Sequence, residues 1–436
     1  MIKFASAVLI WIMVTSCAAG LPRDRGYVSR SLGERGAGVL SDSASGNKFS
    51  IPEGVVLTDG ITSDEAVASA LWNNPQFQAD LLDLGYARAD LQDASLFTNP
   101  VLSFLFPAGP KQMEANLALP LAEIWQRPRR VGAAKLDAAR IAENLVQHGL
   151  ALTRDVRVAF ADAVCAAEQA RLAREKAKLQ AQIAGLARAR LDAGDISALE
   201  ATAEQAAAGA ARDEAARLEA DAATASIRFH TLIGWSSPDT SYELLDEPVE
   251  EIGEPDIKEL LRTAYASRPD LRAAELEIEA AAKRLGWERA KIFNLVAIID
   301  GNADDNGSWE LGPGLNVDLP LLNLNNGGRT RARTELEQSA RLYLTARHRI
   351  SREVREANAG YSAMREAFNI WSGEIVPAQE LAFERSLRAR NAGEESSLFV
   401  MQARLRLLDA LAMESRAARD LRSALADLEY STGKKL

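Results

Sequence analysis

The sequence predicts a mainly helical protein with a small β part, in which one long helical hairpin and one pair of short strands occur twice. Three observations predict it. Four short markers recur in one order at a nearly constant spacing. Ala-rich stretches with interspersed charge are far longer than a compact domain needs. Short apolar runs bounded by Pro and polar turns interrupt them at matching places.

The markers define the duplication. Asn73-Asn74-Pro75 is matched by Ser267-Arg268-Pro269, and Ala118-Leu119-Pro120-Leu121 by Asp318-Leu319-Pro320-Leu321. Asp192-Ala193-Gly194-Asp195-Ile196-Ser197 is matched by Asn391-Ala392-Gly393-Glu394-Glu395-Ser396, and Leu232-Ile233-Gly234 by Ser431-Thr432-Gly433. The copies cover 58–236 and 255–434, joined by a linker over 237–254.

Each copy opens with a helix, Ser63 to about Ser95 and Glu254 to about Ile292. Asp64 and Glu65 stand near the first start, where carboxylates favour the helix dipole. Two strand-like stretches follow, about 100–106 and 114–121 in the first copy, about 295–302 and 312–321 in the second. Leu315-Asn316-Val317-Asp318-Leu319 alternates with period two. This places Leu315, Val317 and Leu319 on an apolar face and Asn316 and Asp318 on a polar one. Val101 lies on another strand, with its face open. The hairpin comes next, Trp125 to Leu191 and Ser197 to Leu232 in the first copy. An arm of about 65 residues would be roughly 100 Å long. Leu405, Leu408 and Ala412 fit a coiled-coil seam. Gly194 and Gly393 mark the turns, and Ser197 and Ser396 are placed to cap the returning helices.

The chain has 436 residues, with 51 basic and 61 acidic ones spread along the helical stretches. No basic patch exists to bind phosphates, which argues against nucleic acid as a partner. Met1 to Ser16 carries Lys3 and an apolar run from Phe4 to Val14, the pattern of a signal peptide. Val14-Thr15-Ser16-Cys17 resembles a bacterial lipobox. It implies removal of 1–16, a diacylglycerol thioether on Cys17 and an acylated new amino group, with 17–57 as a lipidated, extended leader. The alternative is an ordinary signal peptide with an accidental Cys. By resemblance to lipoproteins, Ala18 after the cysteine favours the outer membrane. No apolar run of about 20 residues follows residue 20, so a membrane span comes from strands or does not exist.

Enzyme signatures are missing. His148, His230 and His348 have no His or Cys partner at metal-ligand spacing. Cys165 reads as a small buried hydrophobe. Gly312 and Gly314 precede no phosphate-cradling helix. The expectation is a protein that is not an enzyme and has no cofactor and no metal site.

The stretches Glu65 to Pro75, Gly314 to Arg331 and Arg390 to Ser396, in duplicated order, resemble the TolC or outer membrane factor family, in its lipoprotein branch. The resemblance covers about 58–434. It implies a homotrimer with a 12-stranded transmembrane β-barrel and an α-barrel tunnel reaching through the periplasm of a Gram-negative bacterium. It also implies docking to a periplasmic adaptor and an inner-membrane pump of the RND type, with passive conduction of the pump's cargo. Physics agrees on one point: four strands cannot close, and open edges are not tolerated in lipid.

The resemblance makes Asp192, Gly194, Asp195, Ser197, Asn391, Gly393, Glu394, Glu395 and Ser396 the periplasmic tip that the adaptor grips. The acids there are either solvated loop charge or a negative pore mouth favouring cations. Gate candidates are Glu200, Phe399 and Gln402. Relatives often carry an acid six residues after the second turn glycine, where this chain has Phe399; the first copy keeps Glu200. Phe399 either forms an apolar constriction or packs between helices. Arg127, Arg129, Arg130, Arg329 and Arg331 are either headgroup-level cations or helix-surface charge. Asp192 to Glu200 and Ala122 to Arg130 resemble heavy-metal efflux ducts of the CzcC kind, so the cargo is metal cations or organic drugs. A periplasmic adaptor, with one hairpin, and a coiled-coil envelope tether are the competing classes. Two hairpins and four strands argue against the adaptor, and the alternating strand at Leu315–Leu319 argues against the tether.

Overall fold

A computed structural model describes residues 21–40, 49–52, 54–55, 60–106, 111–235, 244–249, 251–304 and 308–436. Cys17 and the signal peptide lie outside the described residues. The chain forms two compact units, and each draws on both copies of the duplication. One holds described residues up to Val28 together with 80–146 and 269–348; the other holds 29–79, 147–268 and 349–436.

The leader is not simply extended. Its residues Arg25–Glu34 form helix α1. Asp24 accepts a hydrogen bond from the Tyr27 amide at 3.0 Å, as a helix start requires. Tyr27 donates at 2.6 Å to Glu143, a buried carboxylate that also pairs with Arg23. Leu32 is wholly buried and abuts the position where Gly149 lacks a side chain.

The opening helix of each copy is broken rather than continuous, and at the same place. Helix α2 spans Ser63–Asn73 and is followed by α3 (Pro75–Asp80) and α4 (Asp83–Ser95). In the second copy α7 spans Ile257–Ser267 and α8 Pro269–Ala290. The residues before the prolines, Asn74 and Arg268, are both extended, with ψ of 117°. A following proline clashes with a helical conformation at that position, which explains both breaks. Thr62 and Asp256 cap the two first helices, Thr62 through a capping box with Glu65. Each break residue then reaches the end of its copy's last helix. The Asn74 amide donates to the Leu232 carbonyl at 2.8 Å, and Arg268 donates to the Tyr430 and Ser431 carbonyls at 3.3 and 3.2 Å. Those helix ends would otherwise leave unpaired carbonyls. Gly234 and Gly433 follow, with φ of 76° and 74°, pressed against Asn73 and against Ser267 and Arg268.

The hairpins are α5 (Glu123–Asp192) returning as α6 (Ala198–Leu232), and α9 (Asn326–Ile370) with α10 (Val376–Asn391) returning as α11 (Ser397–Thr432). A π turn, Trp371–Ile375, joins α9 to α10. Pro377 lies just beyond it. In a regular helix its ring would strike the Gly373 carbonyl, and the extra residue of the π turn relieves that clash. The buried stripe of α11 runs through Val400, Ala403, Leu407, Ala410, Ala417, Leu421 and Leu428. Of the three residues expected on the seam, only Leu408 is fully buried; Leu405 and Ala412 flank it.

Candidate functional site

The strands are β1 (Val101–Leu105), β2 (Lys111–Pro120), β3 (Leu295–Asp304) and β4 (Trp309–Val317). They form one antiparallel sheet in the order β1-β2-β3-β4, so among the described residues β1 and β4 each present an unpaired edge. The fourth strand starts and stops earlier than 312–321. Leu319 therefore lies beyond it, because Pro320 and the turn after Val317 end the pairing with β3.

Register sorts the side chains into two faces. On one, Leu102 and Phe104 lie in line with Leu117 and Ala115 of β2, Ile299 and Ala297 of β3, and Leu311, Pro313, Leu315 and Val317 of β4. On the other, Ser103, Glu114, Asn116, Asp300, Asn302, Glu310 and Asn316 fall together, and the Asn302 amide donates to Asp300 at 2.9 Å. Val101 pairs with Ala118 and thus stands on the polar face. Every residue of the two edge strands is exposed. An apolar face, a polar face and two unpaired edges describe a piece of a barrel wall.

The tip turns are built alike. The Gly194 and Gly393 amides donate to the Leu191 and Arg390 carbonyls, and the next amides, of Asp195 and Glu394, reach back to Arg190 and Ala389. Both glycines are left-handed, with φ of 80° and 79°. Ser197 and Ser396 accept from the amides three residues on, those of Glu200 and Phe399, each at 3.2 Å. In the first turn Glu200 returns a bond to the Ser197 amide at 3.0 Å, completing a capping box. Phe399 holds the equivalent position and cannot do this.

Glu200 is therefore a local helix cap, and Phe399 and Gln402 are exposed in the single chain. Asp192, Asp195, Asn391, Glu394 and Glu395 are exposed as well; Asp192 lies 3.6 Å from Arg188.

The arginines after the strands have a task that the sequence did not reveal. Arg130 donates to the Ala94 and Leu96 carbonyls at 2.9 and 2.7 Å and pairs with Glu123. Arg127 donates to Ser95 and stacks over Phe97. Both close the C-terminal end of α4, with partners more than 30 residues upstream. Arg129 donates to the Trp125 carbonyl of its own helix.

Residues 260–434 match the model of a family described as outer membrane efflux protein. Over that stretch the chain is similar to members of that family. The cobalt-zinc-cadmium resistance protein CzcC of Cupriavidus metallidurans is 24% identical over 372 residues, covering 82% of this chain and 88% of the relative. The fold is shared with CusC, with a TM-score of 0.68 at 16% identity over 90% of this chain and 98% of that one. It is also shared with VceC of Vibrio cholerae, again with a TM-score of 0.68 at 16% identity, over 85% and 96%. The two-faced sheet and the duplicated hairpins are the parts that an outer-membrane efflux channel subunit needs.

Proposed function

We propose that three copies close their sheets into one 12-stranded barrel, and that the assembly conducts divalent metal cations delivered by an inner-membrane pump through a periplasmic adaptor. The observation that carries the barrel is the sheet itself: both edges are unpaired and the apolar face is uncovered. Lipid tolerates neither loose edges nor a closure by four strands, so further copies must supply the rest. The apolar face then meets acyl chains and the polar face, with Glu114, Asp300 and Glu310, lines water. The six tip turns of a trimer form the adaptor-facing mouth, and Cys17 carries the lipid. The relative named for cobalt, zinc and cadmium resistance supports the metal cargo.

Deletion of the gene tests the cargo. Sensitivity should rise for zinc, cobalt or cadmium and stay level for bile salts and dyes; the reverse pattern would make the cargo organic. Native mass spectrometry of the detergent-extracted protein tests the oligomer. A mass other than three lipidated chains would remove the trimer.

A further inference from the structure

The two strand-to-helix junctions differ in a way that the channel role does not explain. In the first copy, β2 ends at Pro120 and α5 begins at Glu123. The turn is tucked in: Ala122 is buried and its amide bonds the Leu295 carbonyl at 3.0 Å. In the second copy, residues 318–325 separate β4 from α9. Both ends of this segment are pinned. Asn294 donates to Asp318 at 2.7 Å, and the Asn325 amide donates to the Glu288 carbonyl and carboxylate at 2.9 and 2.8 Å. Asn325 adopts φ of 52°, the left-handed region that Asn tolerates best among residues with a side chain. Between the pins, Leu319, Leu321, Leu322 and Leu324 all face outward, and Leu322 is fully exposed.

A fixed loop that displays four leucines needs a partner surface. Two features say which. The loop continues directly from the apolar face of β4, whose last members are Leu315 and Val317, and Phe293 stands exposed at the same end of the sheet. Cations follow at once: Arg329 and Arg331 stand on the first turns of α9. Apolar side chains succeeded by cations match the passage from acyl chains to phosphates at a bilayer surface. We propose that residues 319–324 lie in the periplasmic leaflet of the outer membrane, with the leucines among acyl chains and Arg329 and Arg331 at the phosphates. This segment anchors the depth of the barrel from the second copy. The inference rests on the barrel reading.

The test uses the assembled protein with Cys165→Ala, reconstituted into vesicles of phosphatidylethanolamine and phosphatidylglycerol. A nitroxide is attached at Leu322→Cys and, separately, at Leu319→Cys. The protein without an added cysteine gives the background. Collision with oxygen, which concentrates in the acyl layer, is compared with collision with a water-soluble nickel chelate. Leu315→Cys reports the barrel face, and Glu395→Cys reports water. The oxygen-to-nickel ratio at Leu322 and Leu319 should exceed that at Glu395 several-fold. A ratio like that of Glu395 would put the loop in water and overturn the inference. Low access to both reagents would mean that another copy covers the loop, which overturns it too. If Leu315 itself behaves like Glu395, the barrel reading fails, and the inference fails with it.

Discussion

The first hairpin closes on alanine. Ala201, Ala208, Ala211 and Ala215 line the inner stripe of α6, and the last two meet Ala173 and Ala177 of α5. The positions 199 residues on are Val400, Leu407, Ala410 and Glu414. The first arm is one unbroken helix of 70 residues, whereas the second carries the π turn before Pro377. Alanine seams let backbones approach closely. The second hairpin has larger side chains, a displaced turn and an acid on its seam. Duplication gave two arms of one design, and divergence has left the first continuous and the second jointed.

The largest test exchanges seam residues between the arms. Leu407→Ala should cost about 2–5 kcal/mol, the range for emptying a packed apolar site. Ala208→Leu, its counterpart, should cost about 1–3 kcal/mol through overpacking. Denaturant melts of the detergent-solubilised protein would measure both. If Ala208→Leu is neutral, the first arm has room to spare and the contrast between close and wide seams disappears.

The strands sharpen the comparison from the other side, because there the copies have stayed alike. Leu117 and Val317 occupy matching positions on the apolar face, and Asn116 and Asn316 on the polar one. Leu117→Arg and Val317→Arg should each cost about 2–4 kcal/mol if they lie near the bilayer midplane. Asn116→Arg and Asn316→Arg should be mild. Folding titrations into bilayers read this directly, and equal penalties on both faces would remove the face assignment.

What was legible in the sequence follows the same division. Duplication showed because its markers are backbone determinants: prolines that forbid a helical predecessor and glycines that take φ > 0 at Gly194 and Gly393. Face alternation in β4 showed because Leu, Asn and Val differ sharply in polarity. The true seam was less legible because alanine carries little hydrophobic signal, so Leu405 drew the register one step aside. Helix α1 was hidden in a Gly- and Ser-rich leader with few apolar residues. The work of Arg127 and Arg130 was invisible, since their carbonyl partners on α4 are brought near only by the fold. Pro377 was in plain view, and its consequence, the π turn, could have been anticipated.

The tip turns give a smaller effect. Val at a left-handed position costs about 1–3 kcal/mol of local strain. Gly194→Val and Gly393→Val should therefore loosen the turns, lower efflux and leave the oligomer intact. The first turn has a full capping box and the second only half of one, so Gly393→Val should raise amide exchange around its turn more than Gly194→Val does. Equal exchange would show that the missing carboxylate at Phe399 has no mechanical consequence.

The smallest effect concerns Glu414, the seam acid whose counterpart is Ala215. It is half-buried on the inner stripe of α11. Burial, and then the nearby charge of Glu380 on α10, raise its carboxyl above the ordinary value of 4.5. A raised value means that the folded state holds the proton more tightly than the unfolded state does. The stabilising contribution is thus full below the unfolded value and is lost as pH rises through the folded one. At neutral pH the ionised group weakens the second hairpin. Glu414→Ala, which restores the residue of the first copy, should then stabilise the protein, by no more than about 1 kcal/mol because solvent screens a half-exposed charge. The gain over the native chain should shrink as pH falls through the carboxylate range, because the native group becomes neutral too. Paired melts at neutral and mildly acidic pH measure it. A gain that stays constant with pH would assign the effect to packing alone, and the seam acid would then have no part in setting the second arm apart from the first.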